Sequence, residues 1–246
     1  MSSDAAAANA KNTDSFVLPQ GKILINAELG IDLSSDLVGK PVSLSPDIWY
    51  GATPDLTIGL VHSGEGATGL MASSVGTSLC LTGSDNGCAH VYNNVGLEGR
   101  YRLMRPLSVD AGLYIGSISD PFQLAVKIGA AGRWNWDKVG LELAPSIFIG
   151  LTNRDEAGSG ANTEVLYVPA TIGYMVAPKV DIAFQAALVL PFTDTSDTYR
   201  VPLALGVRFA ATPQLGVGLA FSFPALIANN GSADFRQLTL GATYAL

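Results

Sequence analysis

The stretch Val180-Asp181-Ile182-Ala183-Phe184-Gln185-Ala186-Ala187-Leu188-Val189-Leu190-Pro191-Phe192 decides how this chain folds. Val180, Ile182, Phe184, Ala186, Leu188, Leu190 and Phe192 share one face, while Asp181, Gln185 and small residues share the other. The segment after it repeats the pattern, with Tyr199, Val201, Leu203, Leu205, Val207 and Phe209 opposite Arg200, Pro202, Ala204, Gly206 and Arg208. A repeat of two is a strand signal, and about 9–11 residues is the length a tilted strand needs to cross a bilayer.

Working outward, segments of this kind fall at 21–32, 43–51, 55–63, 91–103, 107–117, 122–134, 138–151, 164–176, 180–192, 199–211, 215–223 and 235–246, twelve in all. The connectors alternate in length. Short ones carry Ala52-Thr53-Pro54, Arg105-Pro106, Asn135-Trp136-Asp137, Ala177-Pro178-Lys179 and Thr212-Pro213-Gln214. Proline fixes φ and suits tight turns. The others, 33–42, 64–90, 118–121, 152–163, 193–198 and 224–234, are mostly longer and polar. Tight turns on one rim and longer loops on the other describe a closed, all-β, antiparallel transmembrane barrel with short periplasmic turns and extracellular loops.

Composition points the same way. Only 14% of residues are charged and mean hydropathy is +0.31, against about 25% charged in an ordinary soluble domain. No uninterrupted apolar run reaches the roughly 18 residues of a helical span. A barrel exposes its apolar stripe to lipid and satisfies every backbone polar group between strands. The competing reading, a secreted β-sandwich, would carry Lys and Glu ladders on its solvent face. Here that face holds Gly216, Gly218, Ala220 and Ser222. Aromatics gather near segment ends, among them Trp49, Tyr50, Tyr101, Phe122, Trp134, Trp136, Phe192, Tyr199, Phe209, Phe221 and Phe223, as interfacial girdles require.

The net charge of −7 argues against nucleic acid as a partner. Residues 1–19 read as a flexible tail and 20–246 as a single barrel domain. The opening Met1-Ser2-Ser3-Asp4 lacks a secretory pattern, so the expectation is a mature exported form. Cys80 and Cys88 bracket a polar connector and are expected to form a disulfide in an oxidising compartment. Two free thiols are the alternative, and no metal or other cofactor is implied.

The last strand carries a resemblance. Thr239-Leu240-Gly241-Ala242-Thr243-Tyr244-Ala245-Leu246 resembles the C-terminal β-signal of the bacterial outer-membrane β-barrel superfamily, with Thr239, Gly241, Tyr244 and Leu246 matching and Leu in place of the usual terminal Phe. The resemblance implies Gram-negative outer-membrane residence, porin-like architecture, lipid as surroundings and the barrel-assembly machinery as a partner during biogenesis.

With apolar faces outward, the opposite parity lines the lumen. Its ionisable candidates are Lys22, Glu28, Asp47, Glu98, Arg100, Arg102, Asp110, Lys127, Arg133, Glu142, Asp181, Arg200 and Arg208, joined by Asn26, Tyr114, Tyr167, Gln185, Gln237 and Thr239. Glu98, Arg100 and Arg102 project inward together. With Arg133, Arg200 and Arg208 from other strands they form a basic constriction that sets selectivity, braces paired with Glu28, Asp110, Glu142 and Asp181, or both, since bracing residues still fix the field inside a pore. The connector 64–90 is expected either to fold into the lumen or to remain an external loop. Catalysis finds little footing. The chain has two histidines, and His62 follows the outward parity of Leu56, Ile58 and Leu60, with Ser63 opposite. The function expected is a monomeric channel passing small hydrophilic solutes or ions. The alternatives are a non-conducting barrel acting through its loops in binding or adhesion, and a transporter of apolar compounds with a lateral opening near Pro145, Pro169, Pro191 or Pro202.

Overall fold

The computed structural model describes residues 15–34, 38–63, 79–83, 91–92, 94–118, 122–154, 162–193, 198–228 and 233–246. Cys88, His90 and most of the connector 64–90 lie outside the described residues. The period-two segments become β1 (Ile23–Asp32), β2 (Val42–Gly51), β3 (Leu56–Val61), β4 (Leu79–Cys80), β5 (Val95–Met104), β6 (Leu107–Ser117), β7 (Gln123–Trp136), β8 (Val139–Leu143), β9 (Ser146–Gly150), β10 (Val165–Ala177), β11 (Val180–Pro191), β12 (Arg200–Ala210), β13 (Leu215–Ala228) and β14 (Gln237–Ala245). Each pairs antiparallel with its neighbours, and β1 pairs with both β2 and β14, so the sheet closes on itself. Closure leaves no free edge, as a bilayer demands.

These segments make twelve staves. β8 and β9 are two halves of one, both paired with β7 and β10. The break falls at Ala144-Pro145, where proline has no N–H to give the ladder. β4 is a two-residue patch beside β2, with Ser43 opposite Cys80 and Leu44 opposite Leu79. It extends the wall beyond the short β3, and Leu79 bridges on to Tyr92. The described part of the long connector, 79–83, therefore belongs to the wall, and neither expectation for 64–90 anticipated this.

Parity is as the sequence sets it. Leu205 is 57% exposed while Ala204 beside it is 2% exposed. Ile58, Leu97, Leu113, Ile128, Ile172, Phe184, Leu219 and Leu240 extend the same outward belt around the barrel. Tyr50, Tyr101, Trp136, Tyr174, Phe209 and Tyr244 are exposed toward the short-turn rim, and Phe122, Phe192 and Phe235 toward the long-loop rim. Such apolar area, ringed by amphipathic rings, is the surface of a protein solvated by lipid.

The interior differs from expectation at four places. Trp49, expected in a girdle, is buried inward because it shares the parity of Ser43, Ser45 and Asp47; Gly59 leaves room for its indole, since any side chain at 59 would strike the ring. His62, expected to face lipid, is buried. β3 stops at Val61, so strand parity no longer governs the next residue. Lys22, expected in the lumen, lies before β1 and is exposed, with its carbonyl accepting from the Gly51 amide. Finally, part of the supposed tail is inside: Phe16 and Val17 are buried, and Gly51 has no side chain where the Pro19 carbonyl crosses it.

Candidate functional site

Strand register builds a charged wall. On β5, Glu98 and Arg100 stand two residues apart on one face, and Arg100 Nε meets Glu98 Oε1 at 2.9 Å. β6 and β7 bring Asp110 and Lys127 alongside, with Lys127 Nζ 2.8 Å from Glu98 and 3.1 Å from Asp110. The Tyr114 hydroxyl donates to the same Glu98 carboxylate. Register then sets Arg133 directly opposite Glu142 across β7 and β8, with Nε 3.0 Å from Oε1. All of these side chains are buried. Buried charges persist where they are paired and hydrogen-bonded, and these charges are paired. The acid–base partners differ in part from those expected: Glu98 and Lys127 are central, and Asp110 meets Lys127.

Nearer the short-turn rim, Arg208 Nε lies 2.5 Å from Asp181, which stands opposite it across β11 and β12. This pair borders a cavity of about 220 Å³, lined also by Asn135, Lys138, Glu142 and Thr171. Arg102 reaches Asp55 at 3.4 Å, where Asp55 is largely exposed. Arg200 is half-buried on β12 opposite Val189. Glu28 is buried on β1.

Asp47 has a different task. Its carboxylate accepts from the amides of His62 at 2.6 Å and Ser63 at 3.1 Å, and from the Ser63 hydroxyl. These are the backbone donors freed where β3 ends, so Asp47 acts as the end-cap of that strand. The His62 ring nitrogens meet the Pro46 carbonyl at 2.5 Å and the Tyr92 hydroxyl at 2.9 Å. Cys80 is buried next to Thr82, while its expected partner lies outside the described residues.

The opposite wall is uncharged over most of its height. Ala183, Ala187, Val189, Ala204, Ala220 and Tyr167 cluster there, interleaved with buried Thr171, Gln185, Ser222, Gln237, Thr239 and Thr243. Among the described residues, Thr171 Oγ1, Ser222 Oγ, Gln237 Nε2 and Thr239 Oγ1 have no protein hydrogen-bond partner.

Sequence reasoning missed the segment Ser15–Pro19. Phe16 packs on Ala131 and Ala144, and the Leu18 amide donates to Thr57 Oγ1 at 2.8 Å. Arg102 Nη2 donates to the Val17 carbonyl at 3.2 Å. The available signal was the apolar run Phe16-Val17-Leu18-Pro19 inside an otherwise polar stretch. Outside the membrane-spanning strands, Arg154 Nη2 lies 2.6 Å from Glu164. Its hydrogen bond holds that carboxyl below the usual glutamate range.

No protein-family model matches the chain. Among curated proteins, the large ribosomal subunit protein uL2 of Rickettsia canadensis (strain McKiel) is 39% identical over 79 residues, 31% of this chain. The uL2 of Rickettsia massiliae (strain Mtu5) is 40% identical over 80 residues. The chain spans about a quarter (27%) of the length of these relatives, and the likeness carries no function to it. Solved structures compare over nearly the whole barrel. The NanC porin superposes with a TM-score of 0.60 at 12% identity, covering 90% of this chain and 100% of that one. The COG4313 outer-membrane channel from Pseudomonas putida F1 gives 0.57 at 14% identity, over 94% and 97% of the two chains. The KdgM porin gives 0.53 at 9%, over 90% and 98%. The chain therefore has the closed twelve-stranded antiparallel fold of the bacterial outer-membrane porins and channels.

Proposed function

We propose that this protein is an outer-membrane channel through which small hydrophilic solutes or ions diffuse passively. The observation that carries the reading is the row of buried polar atoms on the uncharged wall: Thr171, Ser222, Gln237 and Thr239 lack protein partners among the described residues. A buried hydroxyl or amide without a protein partner costs about 1–3 kcal/mol unless water satisfies it. Four of them on β10, β13 and β14 call for water along that wall, and a hydrated wall is a path for hydrophilic solutes. The short-turn rim then faces the periplasm, the long loops face outward, and the barrel works as a monomer. Cys80 and Cys88 form a disulfide closing the connector beside β4.

Single-channel conductance of the refolded chain in a planar bilayer, under a salt gradient, tests this. Steady conductance is expected, with a reversal potential set by the mixed charge of the lumen. Silence from demonstrably folded and inserted protein would overturn it. It would favour a second reading supported by the buried segment Ser15–Pro19 and the paired charges inside the barrel: a closed barrel acting through its external loops.

A further inference from the structure

The lumen contains a ladder of alternating aromatic rings and guanidinium groups. The Arg100 guanidinium carbon lies 3.8 Å from the Trp49 ring centroid and 5.7 Å from that of Phe16. Arg133, on β7, lies 4.2 Å from the Phe16 ring centroid. Three rungs belong to the wall. The fourth, Phe16, is delivered by the segment Ser15–Pro19, which leads into β1 and is held to the wall by the Leu18 amide on Thr57 Oγ1 and by Arg102 on the Val17 carbonyl. Phe16 thus occupies a slot within reach of two cations contributed by different strands, β5 and β7.

The chemistry of the slot follows from what its walls already hold. Arg100 and Arg133 each have a carboxylate of their own, Glu98 and Glu142, so they offer an occupant their π-binding faces rather than unbalanced charge. Arg102 is different. Its wall partner Asp55 is exposed and 3.4 Å away, and its Nη2 donates to the Val17 carbonyl oxygen. The slot therefore recognises one aromatic ring and, beside it, one oxygen acceptor for a guanidinium. A carboxylate satisfies that second position better than a neutral carbonyl does.

We infer that the space between Arg100 and Arg133 is a binding subsite for aryl carboxylates, filled in this structure by Phe16 and Val17 as an internal occupant. The ring of the solute takes the place of Phe16, and its carboxylate takes the place of the Val17 carbonyl on Arg102. This rests on the channel reading and deepens it by naming a solute class. Because the occupant is tethered, a free ligand competes against an effective concentration on the order of millimolar.

The test uses the full chain carrying Val17→Cys, with the unsubstituted chain alongside as the control for background labelling. A membrane-impermeant maleimide is added without ligand, then with 3-phenylpropionate, cyclohexanepropionate or acetate, each on the order of 10 mM and at equal ionic strength. Slow labelling without ligand is expected, with acceleration of about tenfold by 3-phenylpropionate alone, a factor within the range one cation–π contact carries. Adding Phe16→Ala should give fast labelling with no ligand present. Labelling as fast as in the unfolded chain before any ligand is added would overturn the inference. So would indifference to 3-phenylpropionate, or an equal response to cyclohexanepropionate. Conductance recorded in parallel separates the two readings. A silent barrel whose introduced thiol responds to the ligand keeps the subsite and removes the channel, whereas a conducting barrel whose introduced thiol ignores the ligand does the reverse.

Discussion

Where β5–β9 line the lumen, acids and bases neutralise one another at 2.8–3.1 Å: Glu98 with Arg100 and Lys127, Asp110 with Lys127, Glu142 with Arg133. Where β10–β14 line it, the buried side chains are small or uncharged, and several hydroxyls and amides have no protein partner among the described residues. Arg208 and Asp181, near the short-turn rim, form a charged pair on that side. The difference separates two jobs that one wall does poorly. A wall of paired charges resists deformation and holds a fixed field. A wall of unpartnered hydroxyls needs water and so keeps a path wet.

The largest effect expected from breaking this contrast is on stability. Glu98→Ala leaves Lys127 and Arg100 without their shared carboxylate. Removing one partner of a buried ion network costs about 3–5 kcal/mol, whereas Gln185→Ala on the facing wall should cost about 1 kcal/mol, the worth of an ordinary hydrogen bond. Urea titration of the refolded barrel, followed by tryptophan fluorescence, compares the two. Equal losses would show that the walls do not differ as described.

The next effect is on selectivity. Arg100→Ala with Arg102→Ala removes two inward cations and should move the reversal potential toward cation preference; an unchanged potential would show that the network braces the wall without setting the field that ions feel. Smaller in stability but opposite in character is Thr171→Val. It should shift stability by about 0.5 kcal/mol or less, because no protein bond is lost, while lowering conductance by drying the path. A stability loss like that of Glu98→Ala would mean that the hydroxyl is bonded after all.

The smallest effect lies outside the lumen. Glu164 has its folded pKa depressed by Arg154, so the pair contributes above the ordinary glutamate value of about 4.3. That contribution is lost as the pH falls through the lower folded value. Both groups sit in a solvent-screened place, so acidification should loosen the loop and leave the barrel intact. Amide exchange near Gly150, whose carbonyl accepts from Arg154 at 2.6 Å, measured against exchange in β11, is the readout.

How much of this was legible depended on distance along the chain. The strands and their two faces follow from a local period, so Leu205 outward and Ala204 inward could be read directly. Trp49 was half-legible. It shares the parity of Asp47, yet its place near a strand end suggested an interfacial ring. His62 was misread because parity was carried one residue beyond the end of β3. The partners of Glu98 were not legible, since Asp110 and Lys127 lie on other strands and meet it only through register and tilt.

The sequence by itself determined the twelve staves, the lipid-facing belt, the tight and long rims and the inward parity of the charges within the strands, because a pleated strand turns each successive side chain to the other face whatever surrounds it. Only the tertiary structure decided which acid neutralises which base, where Asp47 spends its lone pairs, and that Phe16 enters between Arg100 and Arg133. Those outcomes depend on which strands lie side by side and at what height, and closing the sheet fixes both at once.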